Sequence, residues 1–290
     1  MKDIKDKVLL YHKGCPDGFG SRWCFETKYG DEMTYIAVSH GSLPPNGLDD
    51  KDVWIADFSY PRDILLALKE RCHSLTVIDH HKTAEDNLKD LDFCHFDMAH
   101  CGSVLSWHFC NGLNKEPPML LKYIEDRDIW KWQMPFAKEV LEVIDSYSYS
   151  QRLWDELDAR LSDDDKFQEV LSEGSALLRY KDRKVKELYY KKHELTILGK
   201  TVFAVNSGIY QTELAYMAAN EPGKDFGLAY YFDGEHYVFS IRPGSQNNYD
   251  VSAIAVQFGG GGHRTASGFG IRRLEDLNET NGDRTGKDKG

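Results

Sequence analysis

LTVIDHH, residues 75–81, decides the fold of this chain, because an apolar run of strand length ends there in one carboxylate and two imidazoles. Two other apolar runs end in the same way, since VLLY at 8–11 continues into His12 and VWIA at 53–56 continues into Asp57. Short runs rich in β-branched and aromatic residues, separated by helix-length segments, are typical of buried parallel strands. Because ligands bind at the C-terminal edge of such a sheet, the three runs predict a site built from residues far apart in the sequence.

The order of these segments predicts an α/β protein with two domains. Residues 8–130 alternate strand-like and helix-like segments, so we expect a parallel-sheet domain over 1–150. Residues 151–193 are charged with apolar residues at helical spacing, which predicts a helical connector. Two hairpins around a helix at 211–219 predict a smaller α/β domain over 194–273, and Asp233-Gly234 is a strong turn signal for the second hairpin. The polar, Gly-rich tail over 274–290 is expected to be disordered.

Composition limits the class of protein. Of 290 residues, 41% are hydrophobic and 29% are charged, as in ordinary soluble globular proteins. We expect a cytoplasmic protein with no membrane contact, because no apolar run approaches the ~18 residues that span a bilayer and the charged N-terminus has no apolar signal segment.

All six Cys lie between Cys15 and Cys110 without a C-x-x-C pair, which indicates free thiols. The net charge of −11 argues against duplex DNA as a partner, but not against a short anionic substrate held by bound cations and a few Arg residues.

The residue types at the strand ends indicate metal chemistry. Carboxylates and imidazoles without a thiolate favour Mn²⁺ or Mg²⁺ over structural zinc, with Fe or Co as further possibilities. Two such cations about 4 Å apart can activate a water and neutralise charge that develops on a phosphoryl group. No serine or cysteine nucleophile is then required.

The C-terminal half contains a second set of candidate residues. Four glycines at 259–262 are followed by His263 and Arg264, and Arg242 ends a predicted strand. Glycine N–H groups can form an anion nest, and an Arg side chain can bind a phosphate bidentately. We expect this domain to hold the distal phosphate or base, so that the cleft between the domains sets substrate length. Trp130 and Trp132 are expected to pack the junction of sheet and connector, with base stacking as the alternative.

Six sequence motifs, taken in their order along the chain, resemble those of the DHH phosphoesterase family, whose members here would carry a DHH-associated domain at the C-terminus. They are HKGCPDGFGS at 12–21, Asp57, the triplet Asp79–His81, Ser103, Asp126–Asp128, and GGGGHRTASGF at 259–269. The sequence is similar to the branch that includes short-oligonucleotide (nanoRNA) hydrolases. The resemblance implies two divalent metals, usually Mn²⁺, with Mg²⁺ or Co²⁺ as substitutes.

The resemblance also implies roles for particular residues. It assigns the first metal to His12, Asp17 and Asp57, and the second to Asp57, His80 and Asp126. Asp79 would orient the ligands, and His81 would face the substrate phosphate. The implied substrate-binding residues are Ser103, Arg242, Gly261, Gly262, His263 and Arg264.

The first motif departs from the family pattern. The common motif has a second Asp two residues after the first, and Phe19 stands at that position, while His12 and Asp17 are one residue further apart than usual. We therefore expect the second metal to bind weakly, with water, Asp128 or Cys15 as the replacement ligand.

Together these expectations predict a Mn²⁺-dependent phosphodiesterase of 3′–5′ exonuclease type. It would hydrolyse short single-stranded oligonucleotides or linear dinucleotides to mononucleotides by attack of a metal-activated water on phosphorus. One alternative is a phosphoanhydride hydrolase acting on pyrophosphate or polyphosphate, and another is an inactive nucleotide- or metal-binding protein. The oligomeric state is left open, with a dimer among the possibilities.

Overall fold

The computed structural model describes residues 4–39, 41–246 and 248–278, and the chain divides into two compact units, Met1–Leu178 and Arg179–Gly290. The first unit is built on a five-stranded sheet in the order β2-β1-β3-β4-β5, and every neighbouring pair is parallel. Its strands are β1 Lys7–His12, β2 Met33–Val38, β3 Asp52–Ala56, β4 Ser74–Asp79 and β5 Cys94–Phe96. The predicted α/β class with a parallel N-terminal sheet is therefore confirmed.

Helices cover both faces of this sheet. They are α1 Pro16–Tyr29, α2 Arg62–Arg71, α3 Lys82–Leu88, α4 Gly102–Asn111, α5 Met119–Asp128, α6 Ala137–Ser146, α7 Gln151–Leu161 and α8 Asp164–Tyr189, and a 3₁₀ turn at Gly30–Glu32 precedes β2. Alternate residues of β1 enter different cores, because Leu9 packs with residues of α1, α4 and α5 whereas Leu10 packs with residues of α2. A strand buried on both faces explains why the strands read as continuous apolar runs.

The second unit contains a six-stranded mixed sheet in the order β10-β11-β9-β8-β7-β6. Only β7 and β8 pair in parallel among these neighbours. Its elements are β6 His193–Ile197, β7 Lys200–Asn206, α9 Gln211–Ala219, β8 Phe226–Phe232, β9 Tyr237–Pro243, α10 Ser252–Gln257, β10 Gly261–His263 and β11 Ala266–Ile271. The two predicted hairpins and the helix between them are all present.

The structure differs from the predicted boundaries in two places. Leu274–Asn278 forms a 3₁₀ helix in which Leu277 is buried and its carbonyl accepts a hydrogen bond from the Leu198 amide, so the prediction of a disordered tail from residue 274 is wrong for these five residues. The rest of that tail, 279–290, lies outside the described residues. The connector predicted over 151–193 contains α7 and α8, but the boundary between the units falls inside α8. No helix among the described residues combines the length and the apolar composition needed to cross a membrane.

Candidate metal centre

Three neighbouring strands deliver their polar residues to one edge of the parallel sheet. His12 is the last residue of β1, Asp57 directly follows β3, and Asp79 ends β4 with His80 and His81 behind it. Asp57 adopts a left-handed backbone conformation with φ of 62°, which Asp tolerates better than most residues, and its amide donates to the Ile78 carbonyl at 3.0 Å. This bend leaves the Asp57 carboxylate buried at the middle of the edge.

The first set of donor atoms belongs to His12, Cys15 and Asp57, here named the Cys15 triad. The Cys15 Sγ lies 3.2 Å from His12 Nδ1 and 3.3 Å from Asp57 Oδ2. His12 Nδ1 lies 3.5 Å from the same Asp57 oxygen. Cys15 is the N-cap of α1, and its sulfur also accepts a hydrogen bond from the Gly18 amide.

The second set belongs to Asp17, His80 and Asp128, here named the His80 triad, so Asp17 lies with the second donor set and not with His12, as the resemblance had implied. The His80 Nε2 lies 3.4 Å from Asp128 Oδ2 and 3.6 Å from Asp17 Oδ2. It also lies 3.3 Å from Asp57 Oδ1. The Oδ2 of Asp57 is therefore part of the Cys15 triad, and the Oδ1 of the same carboxylate faces the His80 triad.

Asp17 is fixed by the start of α4. Its two oxygens accept hydrogen bonds from the amides of Gly102 and Ser103 at 2.7 and 2.8 Å. A helix N-terminus stabilises a carboxylate in this position. The residue that opens α4 has to be glycine, because a Cβ at Gly102 would lie 2.6 Å from the Asp57 Cβ.

The charges at this edge are unbalanced. Burial raises the pKa of Asp17, and the neighbouring Asp57 and Asp128 raise it further. Burial also opposes ionisation of Asp57, but hydrogen bonds from His12 and His80 hold its pKa below the usual range. Burial lowers the pKa of His80, yet the hydrogen bond to Asp57 and the charges of Asp17 and Asp128 raise it to about 9. The His80 imidazole thus lies among three carboxyl groups that oppose one another's ionisation, and a bound cation would offset that repulsion.

The donor set fits divalent cations. The ligand atoms within each triad lie within 4.8 Å of one another. Deprotonated carboxylates and neutral imidazoles are ligands for first-row divalent metals. The edge of the sheet can therefore hold a pair of cations that share Asp57.

His81 and Asp79 form a separate hydrogen-bonded pair. The His81 Nδ1 lies 2.7 Å from Asp79 Oδ1, and that oxygen also accepts the His80 amide at 2.8 Å. Asp79 is fully buried, whereas the His81 side chain is 39% exposed. This pairing raises the pKa of His81 and fixes the plane of its ring. Because one ligand atom of His81 lies within 4.8 Å of donor atoms of Asp57 and His80, its imidazole borders the metal centre.

The structure does not support Asp126 as a ligand. Its two oxygens accept the amides of Gln133 and Met134 at 2.7 and 3.1 Å, and these bonds close the loop after α5. Among the described residues it belongs to no cluster of potential metal ligands. Asp128, two residues further along, points at His80 instead. Of these two aspartates, Asp128 and not Asp126 therefore lies among the candidate ligands.

Phe19 does not stand in a ligand position, and the weak binding expected of the second metal stays a prediction. This side chain is 1% exposed and packs in the core, with its ring 5.1 Å from that of Tyr149 and 4.7 Å from that of Trp154. A carboxylate at position 19 would enter this apolar core and not the metal centre. The side chain that occupies the centre from this motif, besides His12 and Asp17, is Cys15.

Ser103 has a structural role that the sequence did not indicate. It is fully buried, and its hydroxyl lies 3.1 Å from the Cys101 sulfur. A buried hydroxyl cannot contact substrate, so the predicted substrate-binding role is not supported. Ser103 acts through its amide, which holds Asp17.

The predicted substrate-binding residues of the second unit lie on and beside one hairpin. Gly261–His263 forms strand β10 and pairs with β11, so much of the glycine run is strand and not an open loop. His263 and Arg264 are exposed. Arg264 donates to the Asn248 carbonyl, and Arg242 donates to Ser240, Ile241 and Thr212. The substrate roles of these residues stay predictions.

Two tryptophans follow Asp128 in an exposed loop. Trp130 is 72% exposed and Trp132 is 38% exposed, and their rings meet edge to face at 5.4 Å. Both have positive φ, near 60° and 51°. The expectation that they pack the sheet junction is therefore wrong for Trp130.

Comparison with known proteins identifies the second unit and the overall fold. Residues 197–282 match the model of the DHHA1 domain. The uncharacterized protein R106 of Acanthamoeba polyphaga mimivirus is 31% identical over an alignment of 301 positions, which covers 94% of this chain and 69% of R106.

Two solved structures are similar to this chain at low identity. The DHH domain of a member of the s1p family of ribosomal proteins is 13% identical, covers 95% of this chain and 84% of its own, and superposes with a TM-score of 0.60. A pGpG-specific phosphodiesterase, PggH from Vibrio cholerae, is 14% identical, covers 97% of each chain and gives a TM-score of 0.49.

The DHHA1 domain match and the DHH-domain fold confirm the resemblance found in the sequence. They also confirm, at the level of the family, the prediction of a metal-dependent phosphoesterase. The chain belongs to the DHH phosphoesterase family and carries a DHHA1 domain in its C-terminal unit.

Proposed function

We propose that this protein is a divalent-metal-dependent phosphodiesterase that releases mononucleotides from short single-stranded oligonucleotides or linear dinucleotides, as a 3′–5′ exonuclease does. One observation carries the proposal. The buried carboxylate of Asp57 turns one oxygen toward the Cys15 triad and the other toward the His80 triad, at a single edge of the sheet. A shared carboxylate between two donor sets is what a two-metal site for in-line displacement at phosphorus requires.

The residues divide between two cation positions. His12 and Asp57 would hold one cation, and Asp57 with the His80 triad would hold the other. When bound, such a pair supplies an acidified water and offsets the charge that develops on the phosphoryl oxygens. We propose Mn²⁺ as the ion of the His80 triad, because its donors are carboxylate oxygens and one imidazole.

His81 is placed to contact the phosphoryl group itself. Its Nδ1 is bound to the buried Asp79, so a protonated ring would donate from Nε2. Asp79 favours that protonated form by raising the pKa of His81. We propose that His81 donates a hydrogen bond to a phosphoryl oxygen, and that it can give a proton to the leaving group.

Two features fit a nucleotide substrate, one for its base and one for a second phosphate. Trp130 presents an exposed indole two residues after Asp128, and an exposed aromatic ring is a stacking surface for a nucleobase. In the DHHA1 domain, the exposed His263 and Arg264 beside Gly261 and Gly262 offer a cation and N–H donors for a distal phosphate. Pyrophosphate has no base to use the first feature.

Hydrolysis assays test the proposal. A 5′-labelled diribonucleotide, pGpG, a longer oligonucleotide and pyrophosphate would be incubated in parallel with Mn²⁺ and with EDTA. We expect Mn²⁺-dependent release of mononucleotide, fastest from the dinucleotides. Cleavage of pyrophosphate alone would instead support a phosphoanhydride hydrolase, and binding without turnover would support an inactive nucleotide-binding protein.

A pair of histidine variants supplies the matched control. His80→Ala removes the central donor of the His80 triad, and we expect a loss of at least about 1,000-fold in kcat/KM. His95→Ala changes an exposed histidine of β5 that belongs to no donor cluster of the described residues, and should leave turnover unchanged. Retained activity in His80→Ala, or activity unaffected by EDTA, would refute the proposal.

A further inference from the structure

The Cys15 triad has the geometry of a set of ligands around one ion. Its three pairwise donor distances are 3.2, 3.3 and 3.5 Å. Donors bound to one tetrahedral cation at about 2.0–2.3 Å are separated by about 3.5 Å. The sulfur of Cys15 therefore stands where a third ligand would stand.

Capping alone is a poor explanation for a thiol at this position. Cys15 is the N-cap of α1 and accepts the Gly18 amide. Ser, Thr, Asp and Asn are the preferred N-caps, because a side-chain oxygen accepts such a bond well. A cysteine gives a weaker cap, but it adds a soft donor directed at His12 and Asp57.

The donors of the two triads differ in kind. The His80 triad contains oxygen and nitrogen donors only, whereas the Cys15 triad adds sulfur. Thiolates favour Zn²⁺, Co²⁺ and Fe²⁺ relative to Mg²⁺ and Mn²⁺. The two cation positions should therefore differ in metal preference.

We propose that Cys15 is a thiolate ligand to the cation held by His12 and Asp57, and that it shifts this position from Mn²⁺ toward Co²⁺, Fe²⁺ or Zn²⁺. Without a cation the thiol donates its hydrogen to Asp57. Cation binding would release that proton to solvent, form the metal–sulfur bond and free the Asp57 oxygen for the same ion. This proposal rests on the proposed metal-dependent function for its biological meaning. Its tests measure metal binding and do not require turnover.

Cobalt spectroscopy tests the bond directly. Metal-free protein would be titrated with Co²⁺ while near-ultraviolet absorption is followed, because a thiolate bound to Co²⁺ gives a charge-transfer band. We expect the band in the wild-type protein and in Cys72→Ser, whose cysteine lies in no donor cluster of the described residues. We expect no band in Cys15→Ser or in Cys15→Asp. Bound Co²⁺ without the band in the wild type, or an unchanged band in Cys15→Ser, would overturn the proposal.

The variants Cys15→Ser and Cys15→Asp also distinguish a metal-ligand role of Cys15 from its role as the N-cap of α1. Serine and aspartate are both better N-caps than cysteine, so α1 should stay intact by circular dichroism. In Cys15→Ser we expect the affinity for Zn²⁺ to fall at least about tenfold. In Cys15→Asp we expect the ratio of Mn²⁺ to Zn²⁺ affinity to rise. Unchanged affinity and an unchanged ratio in both variants would show that Cys15 only caps the helix, and would overturn the proposal.

Alkylation provides a second readout without turnover. Cys15 is half-buried, as are Cys72 and Cys94. Bound Zn²⁺ should slow iodoacetamide labelling of Cys15, measured by peptide mass spectrometry, and leave labelling of the other two unchanged. Equal labelling of Cys15 with and without the metal would refute ligation. The cobalt band in a protein that hydrolyses none of the tested substrates would overturn the proposed function and leave this inference standing.

Discussion

The Cys15 triad and the His80 triad share one edge of one sheet, yet they are built differently. The Cys15 triad takes its donors from the end of β1, the helix cap behind it and Asp57. The His80 triad draws on α1, the residue after β4 and the last residue of α5. The first contains sulfur and a partly exposed imidazole, and the second contains carboxylates around a nearly buried imidazole. A parallel sheet therefore gathers ligands, but the elements that follow each strand decide the chemistry of each position.

Removal of the shared residue should abolish both positions. In Asp57→Ala both cation positions lose the carboxylate that they share, so we expect binding of both cations to weaken and kcat/KM to fall on the order of 1,000-fold or more. Isothermal titration with Mn²⁺ and Co²⁺, together with dinucleotide hydrolysis, measures both effects. Full occupancy of either position in this variant would contradict a shared ligand.

The two aspartates at the end of α5 should respond in opposite ways. Asp128→Asn removes a donor of the His80 triad, and we expect activity to fall about 100-fold with little change in stability. Asp126→Asn leaves the triad intact but replaces one acceptor of two loop amides, so we expect a loss of about 1–3 kcal/mol in the free energy of unfolding.

Urea unfolding and kcat, measured on both variants, distinguish the two roles. If Asp126→Asn lost activity at unchanged stability while Asp128→Asn remained active, the assignment of ligands would have to be reversed.

Cation binding at the His80 triad should strengthen with pH. The pKa of His80 is raised to about 9 from an ordinary value of 6.5, so below pH 9 a cation must displace a proton from the imidazole. The raised pKa of Asp17 acts in the same direction. We expect the apparent affinity for Mn²⁺ to rise about tenfold per pH unit between pH 7 and 9.

Calorimetry in buffers of different ionisation enthalpy would count the released protons. Affinity that stays constant over this range would mean that His80 is already neutral in the metal-free protein.

The smallest expected effect concerns substrate and not metal. Trp130→Ala removes an exposed indole near the His80 triad in sequence, and we expect KM for a dinucleotide to rise about tenfold, with kcat nearly unchanged. Any hydrolysis of pyrophosphate, which has no base, serves as the internal control and should not change. Equal effects on both substrates would indicate a structural role for Trp130.

The strand ends could be predicted because they follow from local pattern. Apolar runs of β-branched and aromatic residues identified β1, β3 and β4, and parallel pairing then places His12, Asp57 and Asp79 at one edge without further information. The turn at Asp233-Gly234 identified the β8–β9 hairpin for the same reason. These predictions need only the local sequence around each residue.

The remaining ligands could not be assigned because they depend on helix orientation. Asp126 and Asp128 are two residues apart on α5, so they point about 200° apart, and sequence does not say which one faces the sheet edge. Phe19 is buried by Tyr149 and Trp154, more than a hundred residues later in the chain. Cys15 was considered only as a substitute ligand, because the motif was aligned on residue types and not on the cap geometry that turns its sulfur toward His12.

The left-handed backbone at Asp57 limits how this metal centre can evolve. A β-branched or bulky residue at position 57 would be strained at φ of 62°, so few residues other than Asp, Asn and His can supply the shared ligand without rebuilding the end of β3. Position 15 has the opposite character, since an N-cap accepts Ser, Thr, Asp or Asn without loss of the helix. A lineage could therefore exchange a sulfur ligand for a carboxylate by changing one residue, and adapt to the metals its environment supplies while the rest of the centre stays the same.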